Sequence, residues 1–210
     1  SGRILFDGED IAPRRAAGFA RDPMRRDIQM VFQDATDSLN PRFTAEQSIA
    51  DPLARILGQS GDARRARVRE LADQVGLPHA LLTRFPHQLS GGQKARVGIA
   101  RAIACSPRLL ILDEPTAALD VSIQAVVLNL LADLQAELGM TYLFVSHDLH
   151  VVRLICDQVV VMKDGAVVEH GPAHAVMDAP TSPYTAALLA AAPTLPASAF
   201  QDTLHEGLRA

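Results

Sequence analysis

The sequence of 210 residues contains no tryptophan, and aromatic residues make up only 4% of it. Proteins that bind single-stranded nucleic acid usually offer aromatic side chains on which bases stack, so the composition argues against that class. Cysteine is scarce as well, since only Cys105 and Cys156 occur, and their spacing is not that of a metal site. Both lie in apolar stretches, and we expect buried, reduced thiols of the kind found in the cytosol.

Long apolar runs are also lacking. No uninterrupted run approaches the roughly 18 residues that span a bilayer, and no signal peptide is visible. The sequence contains 20 Lys and Arg residues and 24 Asp and Glu residues, which gives a net charge of -4. This charge is not typical of a general polyanion binder. The length fits one large domain, or a core with a subdomain. The chain opens without methionine on the strand-and-turn segment Ser1–Gly8, and we expect a fragment or a missing front.

The stretch Leu109–Pro115 carries the strongest structural pattern. Four consecutive aliphatic residues predict a parallel-sheet strand that is buried on both faces, and Pro115 ends it by removing a backbone donor. Asp113 and Glu114 follow at the carboxyl end, where ligands of open α/β sheets bind. Asp113 is placed to hold Mg²⁺ through water, and Glu114 to accept a proton from an attacking water. The alternative is a solvated acidic turn after a strand.

Two further apolar strands end in polar residues. Ile28–Phe32 leads to Gln33, which is either a turn former or a group that binds an attacking or Mg²⁺-bound water while linking two subdomains. Thr141–Val145 is predicted to be another buried strand, and it delivers His147 to the same edge of the sheet. A histidine there is either structural or part of a site.

Helical periodicity prevails from Phe43 to about Pro107, where no strand candidate occurs. We predict helices at Ala45–Leu57 and Ala63–Val75, with Gly76 just after the second helix, in a helical subdomain inserted between strands of the sheet.

The pentapeptide Leu89–Gln93 precedes a further helix within this segment. Ser90 is a natural N-cap, and Gly91 and Gly92 allow a close approach of backbone to another group. The free N–H groups and the positive end of the helix dipole make this start a ready anion site. The alternative is an ordinary capped helix after a loop.

The remaining chain predicts one long helix, one hairpin and a tail. We expect the apolar stripe of the long helix to be core, and the sequence beyond Pro193 to be loosely ordered. A first short strand is predicted at Arg3–Phe6, closed by the turn Asp7-Gly8. The other predicted elements are the long helix Val121–Leu138, a hairpin of Val159–Met162 with Ala166–Glu169, and tail helices near Ala173–Met177 and Tyr184–Ala192.

Five motifs in this order resemble the ATPase subunits of ATP-binding cassette (ABC) transporters. In the terms of that family they are the Q-loop, the signature motif, the Walker B strand with its catalytic Glu, the D-loop and the H-loop. Here they are Gln33, Leu89–Gln93, Leu109–Glu114, Ala118–Asp120 and His147. The resemblance implies an α/β P-loop NTPase (RecA-like) core with a mostly parallel sheet, an inserted helical subdomain and a C-terminal tail.

The same resemblance implies a division of the chain into four parts. Residues 1–42 would be the front of the ATPase core as far as the Q-loop, without its N-terminal portion. Residues 43–107 would be the helical subdomain with the signature motif. Residues 108–171 would complete the core, and residues 172–210 would be a tail of the importer type.

Two such subunits face each other head to tail in this family, and each ATP lies between the phosphate loop of one and the signature motif of the other. The resemblance therefore implies that Ser90, Gly91, Gly92 and Gln93 bind the triphosphate held by the second subunit. Asp120 would pass between the two sites.

The chain's own site is implied by the other motifs. Asp113, with Gln33, would hold Mg²⁺, and Glu114 would orient and deprotonate the attacking water. His147 would contact the γ-phosphate, while Gln33 would sense it and couple the core to the helical subdomain.

A peptide-type importer is the subfamily that the sequence resembles. The evidence is Asp37–Arg42, Leu119–Gln124 and the tail segment Ala179–Leu189. Nickel and glutathione importers share these features, so the cargo stays open. Some relatives hold an iron–sulfur centre through tail cysteines, and because this tail has none we expect no such centre.

The resemblance implies an ATP- and Mg²⁺-dependent ATPase that energises import of peptides or similar small solutes. Its partners would be a second ABC ATPase subunit, two transmembrane permease subunits and, indirectly, a solute-binding protein, but no nucleic acid. It would lie peripherally at the cytoplasmic face of the cell membrane. The alternative is a non-transport ABC ATPase of repair or translation, although neither a sustained heptad pattern nor a basic block is present.

One departure concerns the phosphate loop. No G-x-x-x-x-G-K-[ST] segment occurs in the 210 residues. In the family this loop supplies the lysine and the backbone N–H cradle for the phosphates. We therefore expect the chain by itself to be catalytically inert.

Overall fold

The computed structural model describes residues 2–14, 16–19, 22–33 and 38–191. The described strands are β1 (Leu5–Phe6), β2 (Glu9–Asp10), β3 (Ile28–Val31), β4 (Leu109–Asp113), β5 (Thr141–Val145), β6 (Gln158–Lys163) and β7 (Ala166–Pro172). The described α-helices are α1 (Ala16–Phe19), α2 (Ala45–Arg55), α3 (Gly61–Gln74), α4 (Gly91–Ile103), α5 (Val121–Leu138), α6 (Leu149–Ile155), α7 (Ala173–Asp178) and α8 (Pro183–Ala191).

A parallel sheet in the order β3-β4-β5 lies at the centre of the fold. Met30 lies opposite Ile111 across one pair of strands, and Ile111 lies opposite Leu143 across the other. Because parallel strands run in one direction, their carboxyl ends meet at the same edge. The predicted parallel arrangement is confirmed, and it places the polar residues that follow each strand side by side.

The burial of the sheet differs from the prediction on one of its faces. On β4, Leu110 and Leu112 are fully buried, but Ile111 on the opposite face is only half-buried, so the prediction of a strand buried on both faces is wrong for that face. On β5, Leu143 and Val145 are 53% and 46% exposed, so the expectation of a buried strand is wrong there too. The reason is that the described residues cover only the face of β5 that carries Tyr142 and Phe144.

Helices α2, α3 and α4 follow β3 and precede β4, and the described residues 38–108 contain no strand, as predicted. Thr44 and Gln47 close a reciprocal cap at the start of α2, which ends at Arg55 rather than at Leu57. Helix α3 begins two residues earlier than predicted. Gly76 follows it with φ +62°, the left-handed conformation in which glycine is favoured.

Helix α5 runs over the predicted residues and ends at Gly139 in the left-handed conformation. By length and composition alone it could cross a membrane, but Ser122, Gln124, Asn129 and Asp133 interrupt its apolar residues, so it is not an uninterrupted apolar run. Its residues Val127, Leu131 and Leu134 are buried in the main core, as the apolar stripe predicted. The Tyr142 hydroxyl donates to the Leu131 carbonyl at 2.8 Å and fastens the helix to β5. Helix α5 is therefore a core helix of the described fold.

A second, smaller core joins the β6–β7 hairpin to the tail helices. It consists of buried apolar residues of α6, β6 and α7, with Tyr184 and Leu189 of α8 among those packed against it. The Glu169 carboxylate of β7 accepts hydrogen bonds from the Thr181 N–H at 2.7 Å, the Thr181 hydroxyl at 2.9 Å and the Ser182 N–H at 3.2 Å. Glu169 therefore fixes the chain just before α8.

The front of the chain is less regular than predicted. The first strand covers only Leu5–Phe6 and pairs with β2 through the turn Asp7-Gly8, both residues of which have positive φ. Cys105 is buried and Cys156 half-buried, and both are free thiols. The prediction about residues beyond Pro193 falls outside the described residues, and so does Asp37 of the importer-type segment.

We predict that Glu169→Gln loosens α8. The neighbouring Thr185 hydroxyl and the donors of Thr181 and Ser182 lower the pKa of Glu169 from 4.5 to about 2. The contribution of the ionised carboxylate is therefore complete above pH 4.5 and is lost as the pH falls towards 2. Hydrogen exchange of residues 181–191 should be faster in the variant at pH 7.

The matched control is Glu137→Gln, which removes an exposed carboxylate from α5. It should leave exchange in α8 unchanged. Equal protection of α8 in Glu169→Gln and in the unmodified chain at pH 7 would contradict the role of this carboxylate.

Candidate functional site

Three polar side chains meet where the strands of the parallel sheet end. Gln33 lies two residues after β3, Glu114 directly follows β4, and His147 lies two residues after β5. The ladder brings Val31 level with Leu112, and Asp113 level with Val145, so the three chain segments leave the sheet side by side. The convergence expected from the sequence is confirmed.

Glu114 is the centre of this group, because both of its carboxylate oxygens are engaged. Gln33 donates from Nε2 to Glu114 Oε2 at 2.9 Å, and His147 Nδ1 lies 2.8 Å from Glu114 Oε1. The Glu114 side chain is 22% exposed. The two bonds therefore hold an accessible carboxylate in one orientation at the sheet edge.

The backbone of Glu114 adopts an unusual conformation, with φ +43°. A residue with a Cβ rarely occupies this left-handed region, and such conformations concentrate at functional sites. The Glu114 N–H donates to the Val145 carbonyl at 2.9 Å, which continues the β4–β5 ladder by one more bond. The chain turns sharply after that bond and presents the side chain beyond the sheet edge.

His147 is paired with Glu114 but open to solvent, with 75% of its side chain exposed. The hydrogen bond to Glu114 and the charge of that carboxylate raise the pKa of His147 above 6.5. The pairing therefore favours the imidazolium form, and the exposed part of the ring stays open next to the carboxylate. This arrangement can contact an anionic group of a ligand while Glu114 faces a water molecule.

Asp113 is the last residue of β4 and lies on the half-buried face of the strand. The described residues contain no cluster of three or more His, Cys, Asp or Glu side chains that could enclose a metal ion. One carboxylate at the sheet edge nevertheless fits Mg²⁺, which keeps several waters and commonly takes one or two protein carboxylates together with phosphate oxygens.

The predicted anion site at the start of α4 is built as a reciprocal cap. The Gln93 N–H donates to Ser90 Oγ at 3.3 Å, and the Ser90 N–H donates to Gln93 Oε1 at 2.9 Å. The Gln93 side chain thus closes the cap of its own helix. The spacing S-x-x-Q is the recognised sequence signal for this cap.

Asp120 caps α5 in a similar way. Its Oδ1 accepts from the Ile123 N–H at 3.0 Å and from the Ser122 hydroxyl at 2.7 Å. The bond from the Ser122 hydroxyl, followed by that from the Ile123 N–H, lowers the pKa of Asp120. An ionised Asp120 at this helix start is also favoured by the helix dipole.

Sequence reasoning did not predict that Leu119 and Ile123, next to these caps, lie against the paired glycines. A Cβ on Gly91 would lie 3.1 Å from Leu119 Cδ2, and one on Gly92 would lie 2.7 Å from Ile123 Cγ2. The paired glycines were attributed to the approach of an unspecified group, and the structure shows that this group includes the first turn of α5. No local sequence pattern indicates a contact between segments some 30 residues apart.

A parallel sheet with helices inserted between its strands, and with polar residues gathered at its carboxyl edge, is an architecture of nucleotide-binding proteins. Comparison with known proteins identifies the family within this class. The sequence profile of the ABC transporter family matches residues 1–117, and the chain belongs to that family.

Two relatives illustrate the similarity. The oligopeptide transport ATP-binding protein OppF of Lactococcus lactis is 43% identical over 195 residues, which are 93% of this chain and 60% of OppF. The oligopeptide transport ATP-binding protein OppD of Mycobacterium tuberculosis is 51% identical over 193 residues, which are 92% of this chain and 31% of OppD. The chain thus spans about 60% or less of the length of these relatives.

Solved structures confirm the predicted fold class. CbiO1 of Clostridium perfringens, part of the ABC transporter complex cbiONQ, superposes with a TM-score of 0.73 at 36% identity, over 85% of this chain and 69% of that one. A dimer of the ATP-binding cassette MJ0796 in a post-hydrolysis state, bound to ADP and Pi, gives a TM-score of 0.71 at 33% identity, over 82% and 74% of the two chains.

We predict that Glu114→Gln lowers the pKa of His147. The neutral amide removes both the charge and the carboxylate acceptor that favour the imidazolium, so the titration midpoint should fall back towards 6.5. The midpoint is measured by NMR of the histidine ring protons. A midpoint that is unchanged in the variant would contradict the pairing of Glu114 with His147, and His174, exposed on α7, serves as the internal reference.

Proposed function

We propose that the chain forms the ATP-binding and ATP-hydrolysing part of a subunit that energises an ABC importer of peptides or similar small solutes. The observation that carries this proposal is the Glu114 carboxylate, held by Gln33 and His147 at the carboxyl edge of the sheet. Membership of the family supports the nucleotide, and the names of the relatives support a peptide-type cargo.

Glu114 is the general base of this proposal. Its two bonded neighbours orient the carboxylate, and its partial exposure leaves room for a water molecule on the open side. The carboxylate accepts a proton from the water that attacks the γ-phosphate. The amide of Gln33 binds the same carboxylate from β3, so a shift of that segment changes the orientation of the base.

His147 contributes positive charge to the phosphate side. Its raised pKa favours the imidazolium, and its exposed ring is free to bond a γ-phosphate oxygen through Nε2 while Nδ1 stays with Glu114. Asp113, with Gln33, would hold Mg²⁺. The ion would neutralise charge on the β- and γ-phosphates when bound.

The start of α4 serves a second subunit in this proposal. Ser90, Gly91 and Gly92 present the N-terminal end of the helix to the triphosphate held by that subunit, where unpaired N–H groups and the helix dipole favour an anion. ATP then joins two copies head to tail, and hydrolysis releases them. The pair of subunits therefore has a joined and a released state, and membrane subunits can respond to the change between them.

The remaining partners follow from the importer assignment. Two transmembrane permease subunits bind the helical segment between residues 43 and 83, and a solute-binding protein delivers the cargo to them. The subunit works at the cytoplasmic face of the membrane.

We expect Glu114→Gln to lower ATP turnover by about 10²–10⁴-fold, the range of a lost general base, while ATP is still bound. The measurement uses the complete product of the gene, purified from its host with associated membrane proteins, and compares steady-state hydrolysis with nucleotide binding. Glu137→Gln on α5 is the control and should hydrolyse ATP at the unmodified rate.

Turnover near the unmodified rate in Glu114→Gln would refute the base assignment. Co-purification with two multi-helix membrane proteins is the expected result for an importer subunit. Co-purification with ribosomes or DNA instead would replace the importer by a non-transport ABC ATPase.

We also expect the 210-residue chain by itself to bind Mg-ATP weakly or not at all, because the phosphate-loop motif does not occur in it. Calorimetric titration of Mg-ATP into the chain measures this. A micromolar Kd would show that the described edge of the sheet binds the triphosphate without that loop.

A further inference from the structure

We infer that Ile123 is a positioning residue that joins the start of α4 to the start of α5, so that Ser90–Gly92 and Asp120 face a second subunit as one rigid unit. This inference rests on the proposed function for its consequence, since the unit matters when a partner's triphosphate is bound. The contact itself is independent of that proposal.

The first step is the reason for the two glycines. Gly91 and Gly92 are the first two residues of α4, and neither has a positive φ. Alanine could therefore adopt the same backbone conformation at both positions. An alanine would also present the same backbone N–H to an anion, and alanine has the higher helix propensity.

The second step is the space that the glycines leave. A Cβ on Gly92 would lie 2.7 Å from Ile123 Cγ2, which is closer than carbon atoms approach without displacement. Cγ2 is attached directly to the stiff β-branched centre of Ile123, so the side chain cannot swing aside as a long one could. The Cβ of Gly91 would meet the more movable end of Leu119 at 3.1 Å. Gly92 is therefore the stricter of the two.

The third step is the anchoring of Ile123 from the other side. Its N–H is bound by the Asp120 carboxylate at 3.0 Å, and its side chain is half-buried against the main core. Ser90 caps α4 within the same first turn that contains Gly92. A continuous series of contacts thus runs from the Asp120 cap through Ile123 and Gly92 to the Ser90 cap.

The arrangement has a mechanical consequence. Two helix starts, each with its own cap, are held by a contact that leaves no room for one methyl group. A displacement of α5 at Asp120 therefore moves the backbone N–H groups of Gly91 and Gly92 with it. The two motifs that face the second subunit cannot adjust separately to its triphosphate.

The contact is tested first in the chain itself by hydrogen exchange. Ile123→Ala should speed exchange of residues 93–97 and leave α2 unchanged, while Ile123→Val, which keeps Cγ2, should stay close to the unmodified chain. Val126→Ala is the matched control, because Val126 lies on the same helix and is 46% exposed. Exchange in residues 93–97 that is the same in Ile123→Ala as in the unmodified chain would overturn the inference.

The consequence is tested in the complete product of the gene carrying Glu114→Gln, in which we expect ATP to be bound but hydrolysed slowly. Sedimentation measures its ATP-dependent dimerisation. Ile123→Ala should weaken the dimer by about tenfold or more, the loss expected when one hydrogen bond to a charged phosphate is no longer well placed. ATP binding by the separate subunit and the melting temperature should move no more than in Val126→Ala.

A double-substitution cycle separates positioning from contact with phosphate. If Gly92 is required because Ile123 abuts it, Gly92→Ala should weaken the dimer strongly, and the combination with Ile123→Ala should lose no more than the worse single variant. Losses that simply multiply would show that Gly92 acts on the phosphate alone and would overturn the inference. No ATP-dependent dimer in Glu114→Gln by itself would instead refute the proposed function, and the exchange experiment would still decide the contact.

Discussion

The bridge from Gln33 through Glu114 to His147 depends on the parallel register of three strands. Each strand ends at the same edge, and each is followed within two residues by a polar side chain. One carboxylate can then accept from its neighbours on both sides, at 2.9 Å and 2.8 Å. A slip of one residue in either pairing would turn the side chains of a strand to the opposite face and break this contact. The hydrophobic burial of Leu110 and Leu112 therefore fixes the position of groups that are themselves polar and exposed.

The contacts of the fold differ in rigidity. The sheet edge is held by backbone ladders, and the helix starts at Ser90 and Asp120 are held by side-chain caps and a methyl contact. The Gln33 amide binds Glu114 at the sheet edge, and the chain then continues towards the helical insertion. Under the proposed function, a shift of the helical segment would reorient the carboxylate through this one hydrogen bond, which is easily made and broken.

Much of this could be predicted from sequence, and the failures have physical causes. The strands, the long helix α5 and the convergence of Gln33, Glu114 and His147 followed from apolar patterns and from the geometry of parallel sheets. The exposure of Leu143 and Val145 did not, since a pattern shows that a strand is apolar but not whether a neighbour covers it. The contact of Gly92 with Ile123 did not either, because it joins distant segments. The caps formed by Gln93 and Asp120 could have been predicted from the sequence, but both residues were interpreted only as ligand contacts.

At Glu114, the residue type that best fits the left-handed backbone differs from the residue type that the proposed reaction requires. Glycine or asparagine would occupy that conformation more easily, whereas the proposed reaction needs a carboxylate on a side chain of this length. The strain must be met by the surrounding packing, since a residue held in this region persists only where its neighbours determine it. Selection for thermal stability alone would therefore tend to erase the acidic residue, and a stabilised descendant of this chain should be examined at this position before its activity is assumed.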